Sequence, residues 1–166
     1  MKNMSVNELK YEGFIKMVQI AALADKGNYY ICPYVDMGIC CRTLPITILK
    51  ISETDDEALF DAAIATMKYC RKATLEEEEE CSRNGAYDEI SDHYGFKKTT
   101  GLGISSFDRK GIPNVTLSIT KDNQFEFWYM CNATRQSGFI YCSIDSPKEE
   151  KSKILREALN RSITFK

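Results

Sequence analysis

Carboxylates are the residues of this chain with the widest chemical reach. Glu76, Glu77, Glu78, Glu79 and Glu80 stand side by side, and Asp88, Glu89 and Asp92 follow closely. Two carboxylates held in a cleft can divide general acid and base work. A dense acidic face can instead steer a basic partner. Imidazole is scarce: His93 is the single histidine, between Asp92 and Tyr94 in a polar stretch, a setting that suits a surface or interface residue. Ser105 and Ser106 lack the G-x-S-x-G turn that presents a nucleophile. Gly101-Leu102-Gly103 lacks the third glycine of a phosphate cradle and reads as a turn. These residues predict no catalytic set.

Seven cysteines are present, at 32, 40, 41, 70, 81, 131 and 142, with no C-x-x-C among them. Zinc sites use paired short spacings, often with histidine. That pattern is missing, so no metal and no cofactor is expected. The cysteines read as buried free thiols, small hydrophobes in effect. Cys131 and Cys142 could pair only if they faced each other across a hairpin.

The elements that must position these groups follow from pattern. Phe14 to Leu23 reads as an apolar strand, with a short helix as the alternative because Ser5-x-x-Glu8 could be a capping box, and Asp25-Lys26-Gly27-Asn28 is a turn. Tyr29 to Val35 is the return strand, with Pro33 placing it at a sheet edge or strand end. Asp36 to Arg42 reads as a loop. Pro45 to Ile51 alternates like a strand. A helix follows, opened by a Thr54-x-x-Glu57 capping box, with Asp55 and Asp56 in its first turn. Leu59, Ala63, Met67 and Cys70 form its apolar stripe. The glutamate run is a solvated helix face or loop, and Asp88 to Gly95 reads as a short helix. Val115 to Thr120, Phe125 to Cys131 and Gly138 to Ile144 are strands. Phe125, Phe127 and Tyr129 should share one face, with Glu126, Trp128 and Met130 on the other. Ser146-Pro147-Lys148-Glu149 opens a last helix with Ile154, Leu155, Ala158 and Leu159 inward.

Both halves therefore run hairpin, loop, strand, helix, with turns and capping signatures recurring at nearly the same interval. The expected architecture is α+β: a largely antiparallel sheet packed by helices, with a degenerate duplication of a ββ-loop-βα unit. The 166 residues and 18.9 kDa fit one domain spanning 1–166. The charge balance, 22 basic against 24 acidic side chains, leaves −2. No general basic field exists to hold phosphates, so direct nucleic-acid binding is not expected. The N-terminus lacks an apolar signal core. Phe14 to Ala24 carries Lys16 and Gln19 and falls short of the roughly 20 residues of a membrane span. A cytoplasmic protein without a membrane partner is expected.

Several segments, in order, resemble the bacterial contact-dependent growth inhibition (CDI) immunity proteins. They are Gly27-Asn28-Tyr29-Tyr30-Ile31-Cys32-Pro33, Leu44-Pro45-Ile46-Thr47-Ile48-Leu49, Thr54-Asp55-Asp56-Glu57-Ala58-Leu59, Tyr94-Gly95-Phe96-Lys97-Lys98, Gly138-Phe139-Ile140, and Leu155-Arg156-Glu157-Ala158-Leu159-Asn160-Arg161-Ser162. Phe60 stands where that family usually has glycine. The resemblance implies a cytosolic, non-enzymatic protein that binds the C-terminal toxin domain of a cognate effector, here expected as a nuclease bound 1:1. It carries over no binding residue. Charge alone nominates Glu76, Glu77, Glu78, Glu79, Glu80, Asp88, Glu89 and Asp92 as toxin-binding. The alternatives are a small non-toxin binding or regulatory module, or a small carboxylate-based enzyme.

Overall fold

The computed structural model describes residues 9–36, 40–42, 45–84, 96–101, 112–131 and 136–164. The strands are β1 (Met17–Leu23), β2 (Asn28–Asp36), β3 (Cys40–Arg42), β4 (Thr47–Lys50), β5 (Arg71–Lys72), β6 (Asn114–Ile119), β7 (Gln124–Cys131) and β8 (Gln136–Ser143). The helices are α1 (Asp56–Met67), α2 (Leu75–Asn84), α3 (Phe96–Thr100) and α4 (Lys148–Thr164). Eight strands form one sheet in the order β3-β2-β1-β6-β7-β8, with β4 and β5 also pairing with β2. Only the short β2–β5 contact is parallel among the described pairs.

The duplication is visible in the topology. β1 and β6 meet antiparallel at the sheet centre, Ile20 opposite Val115. Outward from that seam, β2 and then β4 follow on one side, and β7 and then β8 on the other, each antiparallel to its neighbour. Each half closes with a helix, α1 or α4. The two hairpin turns use the same left-handed step, at Gly27 (φ 66°) and at Asn123 (φ 56°). Glycine takes this conformation without cost, and asparagine is among the few other residues that tolerate it.

One face of the sheet makes the main core, and Ala21, Leu23, Tyr30 and Cys32 form a smaller buried cluster on the other. Val18 and Ile20 of β1, Tyr29 and Ile31 of β2, Val115 and Leu117 of β6, and Phe125, Phe127 and Tyr129 of β7 lie in one buried cluster. Leu59, Ala63, Met67 and Cys70 join it from the first half, and Leu155, Ala158 and Leu159 from α4. Leu59, Ala63 and Met67 of α1, the α4 stripe and the β7 alternation thus bury as the spacing predicts, whereas Cys70, expected on the same helical stripe, is buried from the turn after α1, which ends at Met67. Phe60 sets its ring edge-on to Phe125, with centroids 5.6 Å apart, so the aromatic fills the helix–sheet gap. α1 and α4 run antiparallel over this face. Asp56 meets Arg156 at 2.7 Å, and Asp61 meets Lys148. α4 also reaches both hairpins: Arg156 donates to the Tyr29 hydroxyl at 3.0 Å and Arg161 to that of Tyr129 at 3.1 Å.

Four local readings change. Pro33 is neither at a sheet edge nor at a strand end: it is buried inside β2, opposite Val18 of β1. It is tolerated because it falls between the residues paired with β4 (28–31) and those paired with β3 (34–36). Part of the expected loop after Val35 is strand β3. Asp55, not Thr54, caps α1, accepting the Ala58 N–H at 2.8 Å. The Thr54 hydroxyl turns back to donate to the Lys50 carbonyl at 2.6 Å. Cys131 and Cys142 do not oppose each other, since the β7–β8 register sets Cys131 against Gln136 and Cys142 against Phe125. Cys32, Cys70 and Cys142 are buried thiols outside any disulfide. Burial pushes the Cys142 thiol up to about 11 and raises that of Cys70.

Candidate interaction surface

The glutamate run lies on α2, and its N-terminus is built by Thr74 and Glu77. The Glu77 amide donates to the Thr74 hydroxyl at 3.2 Å, and the Thr74 amide donates to the Glu77 carboxylate at 2.8 Å. This reciprocal capping box is the motif expected at Thr54 and Glu57, operating here instead. Both Glu77 oxygens also accept from Arg71, at 2.8 and 2.6 Å. Such a fork is the strongest geometry open to an arginine–carboxylate pair. Arg71 belongs to β5, opposite Val35 of β2, and the amide two residues on, Ala73, donates to the Asp36 carbonyl at 2.8 Å. The run is thereby tied to the end of β2.

The five glutamates therefore do different things. Glu77 is half-buried and structural, and Glu78 is half-buried. Glu76, Glu79 and Glu80 are exposed. Together they present a negative surface on a helix whose start is clamped to the sheet. Asp88, Glu89, Asp92 and His93 lie outside the described residues.

A second group of acids sits in a cleft of about 450 Å³ between α1 and α4, lined by Asp55, Asp56, Glu57, Glu149, Ser152 and Lys153. Each carboxylate there has a structural partner. Asp55 caps α1, Asp56 holds Arg156, Glu57 lies 3.6 Å from Lys148, and Glu149 holds Lys153 at 2.7 Å. The bond to Asp61 raises the Lys148 ammonium above its ordinary range. The cleft is a seam of helix-to-helix and intrahelical ion pairs. Among the described residues, no group of three or more His, Cys, Asp or Glu side chains is placed to hold a metal ion.

A third surface is aromatic, on the sheet face away from α1 and α4. Trp128 stacks on Phe139, its cross-strand partner, with centroids 6.2 Å apart. Phe139 stacks in turn on Tyr141 at 6.2 Å. Phe139 is 52% and Tyr141 51% exposed. Trp128 is not covered by either long helix, and its buried indole N–H has no partner among the described residues. The alternation in Phe139-Ile140-Tyr141 signals this surface in the sequence. Its neighbour Trp128 is recognisable only once the register is known.

The architecture defines a duplicated α+β domain, and comparison with known proteins gives that fold a counterpart. The chain is similar to a solved structure titled "Protein of Unknown Function NMB0488 from Neisseria meningitidis", with a TM-score of 0.65 and 15% identity, covering 91% of this chain and 97% of that one. No protein-family model matches the chain, and no curated protein does. No described helix is long and apolar enough to cross a membrane.

Proposed function

We propose that this chain is an immunity protein of the CDI type. In this reading it sits in the cytoplasm and binds the toxin domain of a cognate effector, one to one, as an inhibitor without catalysis of its own. The toxin is of nuclease type, basic where it holds phosphate. The observation that carries the proposal is the anchored acidic helix: Glu76, Glu79 and Glu80 are exposed on α2, and the Arg71–Glu77 fork fixes where they stand. A preset acidic surface favours a basic partner because little ordering is left to do on binding. Opposite charge raises encounter rates, and that gain is screened beyond about 8–10 Å at physiological ionic strength. The ordered segments that resemble the CDI immunity proteins support the same reading.

Co-expression with the effector tip encoded by the adjacent reading frame tests it. Wild-type protein is expected to bind and neutralise that tip, and association should slow as salt rises. Reversing Glu76, Glu79 and Glu80 to lysine should slow association while leaving the circular dichroism spectrum unchanged. If the reversal leaves the rate untouched, α2 is not the interface. If the wild-type protein neither binds nor neutralises the tip, it is not an immunity protein for it.

A further inference from the structure

We propose that the β8 edge is a self-recognition surface, where a second copy of this chain adds its own β8 antiparallel to extend the sheet. Among the described residues, β8 is the last strand on its side of the sheet order. An open strand edge carries unpaired amides and carbonyls, and folded proteins usually blunt it with short length, charge or proline. Strands at the other side follow that practice: β4 is four residues long and ends in Lys50, and β3 is three residues long and ends in Arg42. β8 is eight residues long, Gln136–Ser143, with no charged residue and no proline. Instead it carries two half-exposed aromatic rings on one face.

Those rings are spaced for self-complementarity. A two-fold axis perpendicular to the sheet keeps each face on its own side, so only registers that match face to face are allowed. An axis through Ile140 sets Phe139 against Tyr141 of the second copy and Tyr141 against its Phe139. The existing cross-strand pairs, Trp128 with Phe139 and Glu126 with Tyr141, then lengthen into two identical rows. Each row reads Trp128, Phe139, Tyr141, Glu126 across four strands. An axis through Phe139 would instead set Tyr141 against Ser137, leaving both tyrosines without an aromatic partner. The complementarity therefore selects the Ile140 axis, an isologous contact that closes at two copies. A contact of one strand pair and four half-exposed rings lies at the small end of specific interfaces, so the dissociation constant should fall at about 1–100 µM.

Sedimentation velocity on the purified full chain, from about 1 to 500 µM, tests this. Wild type should move reversibly from monomer to dimer. Phe139→Lys/Tyr141→Lys sets lysine against lysine and should weaken association at least about tenfold, a cost of about 1.4 kcal/mol. Phe139→Glu/Tyr141→Lys sets opposite charges together in this register alone and should recover association at low salt. Circular dichroism reports whether both variants fold. Amide exchange on the wild type gives a measurement free of substitution, with β8 protection rising with protein concentration. A wild type that stays monomeric throughout overturns the proposal, as does a folded Glu/Lys variant no better associated than Lys/Lys. β8 amides protected only on adding a toxin domain would assign the edge to that partner and overturn the second copy.

Discussion

Glu77→Ala should loosen α2 without unfolding the sheet. The side chain makes two kinds of bond. As the third helical residue it accepts from the Thr74 amide at 2.8 Å, and losing a capping partner costs about 0.5–1 kcal/mol. It also forms the fork to Arg71, whose side chain is 43% exposed against 20% for Glu77. Solvent screening at that exposure holds the fork to about 0.5–1 kcal/mol. The sum, about 1–2 kcal/mol, is a factor of roughly 5–30 in the equilibrium for opening the helix. Native-state hydrogen exchange reads it directly. The Glu78 amide, which donates to the Thr74 carbonyl at 3.1 Å, should exchange faster by that factor. Amides of β1 and β6 should not change, because local opening and global unfolding are separate events. Glu77→Gln keeps a neutral acceptor and should fall between. Glu80→Ala, at an exposed position in the same run, is the control and should leave protection within about twofold. The reasoning fails if Glu77→Ala and Glu80→Ala behave alike, or if the loss spreads equally to β1 and β6.

Asp55→Ala should cost about 1–2 kcal/mol in urea unfolding, and Thr54→Ala less, because only Asp55 accepts from a helix amide. Gly138→Ala should destabilise by about 1–3 kcal/mol, since a Cβ there would lie 2.2 Å from the Tyr129 hydroxyl oxygen. Combining it with Tyr129→Leu should be less than additive, as the obstructing phenol is gone. The Cys142 thiol, raised by burial to about 11, should resist thiol reagents at neutral pH and react only on unfolding. Its folded value lies above the ordinary 9.0, so its contribution to stability is full below pH 9 and lost as pH rises toward 11. Urea titrations across that window should show Cys142→Ala losing stability less steeply than wild type.

Periodicity alone determined much of this protein. The stripe Leu59, Ala63, Met67 and the β7 alternation were legible because a helix and a strand each offer one face to a core, and that face must be apolar. The duplication was legible for a related reason: a two-fold sheet demands the same order of local signals twice. Local chemistry with two equivalent outlets was not. Thr54-x-x-Glu57 and Thr74-x-x-Glu77 carry the same signature, but a neighbouring aspartate with a better acceptor took over the cap of α1. Only at Thr74 did the chain leave the motif free to form. Pro33 looked like an edge residue because a lone strand cannot show that its partners change at that point. The exposed acids and the β8 ladder were half visible. Their residue types stood in the sequence, but Glu77 became structural only when Arg71 reached it from β5. Phe139 and Trp128 became neighbours only through the β7–β8 register. Patterns of burial are written along the chain, one residue after another. Partnerships between strands depend on distances that local sequence does not contain, and the tertiary structure decides them.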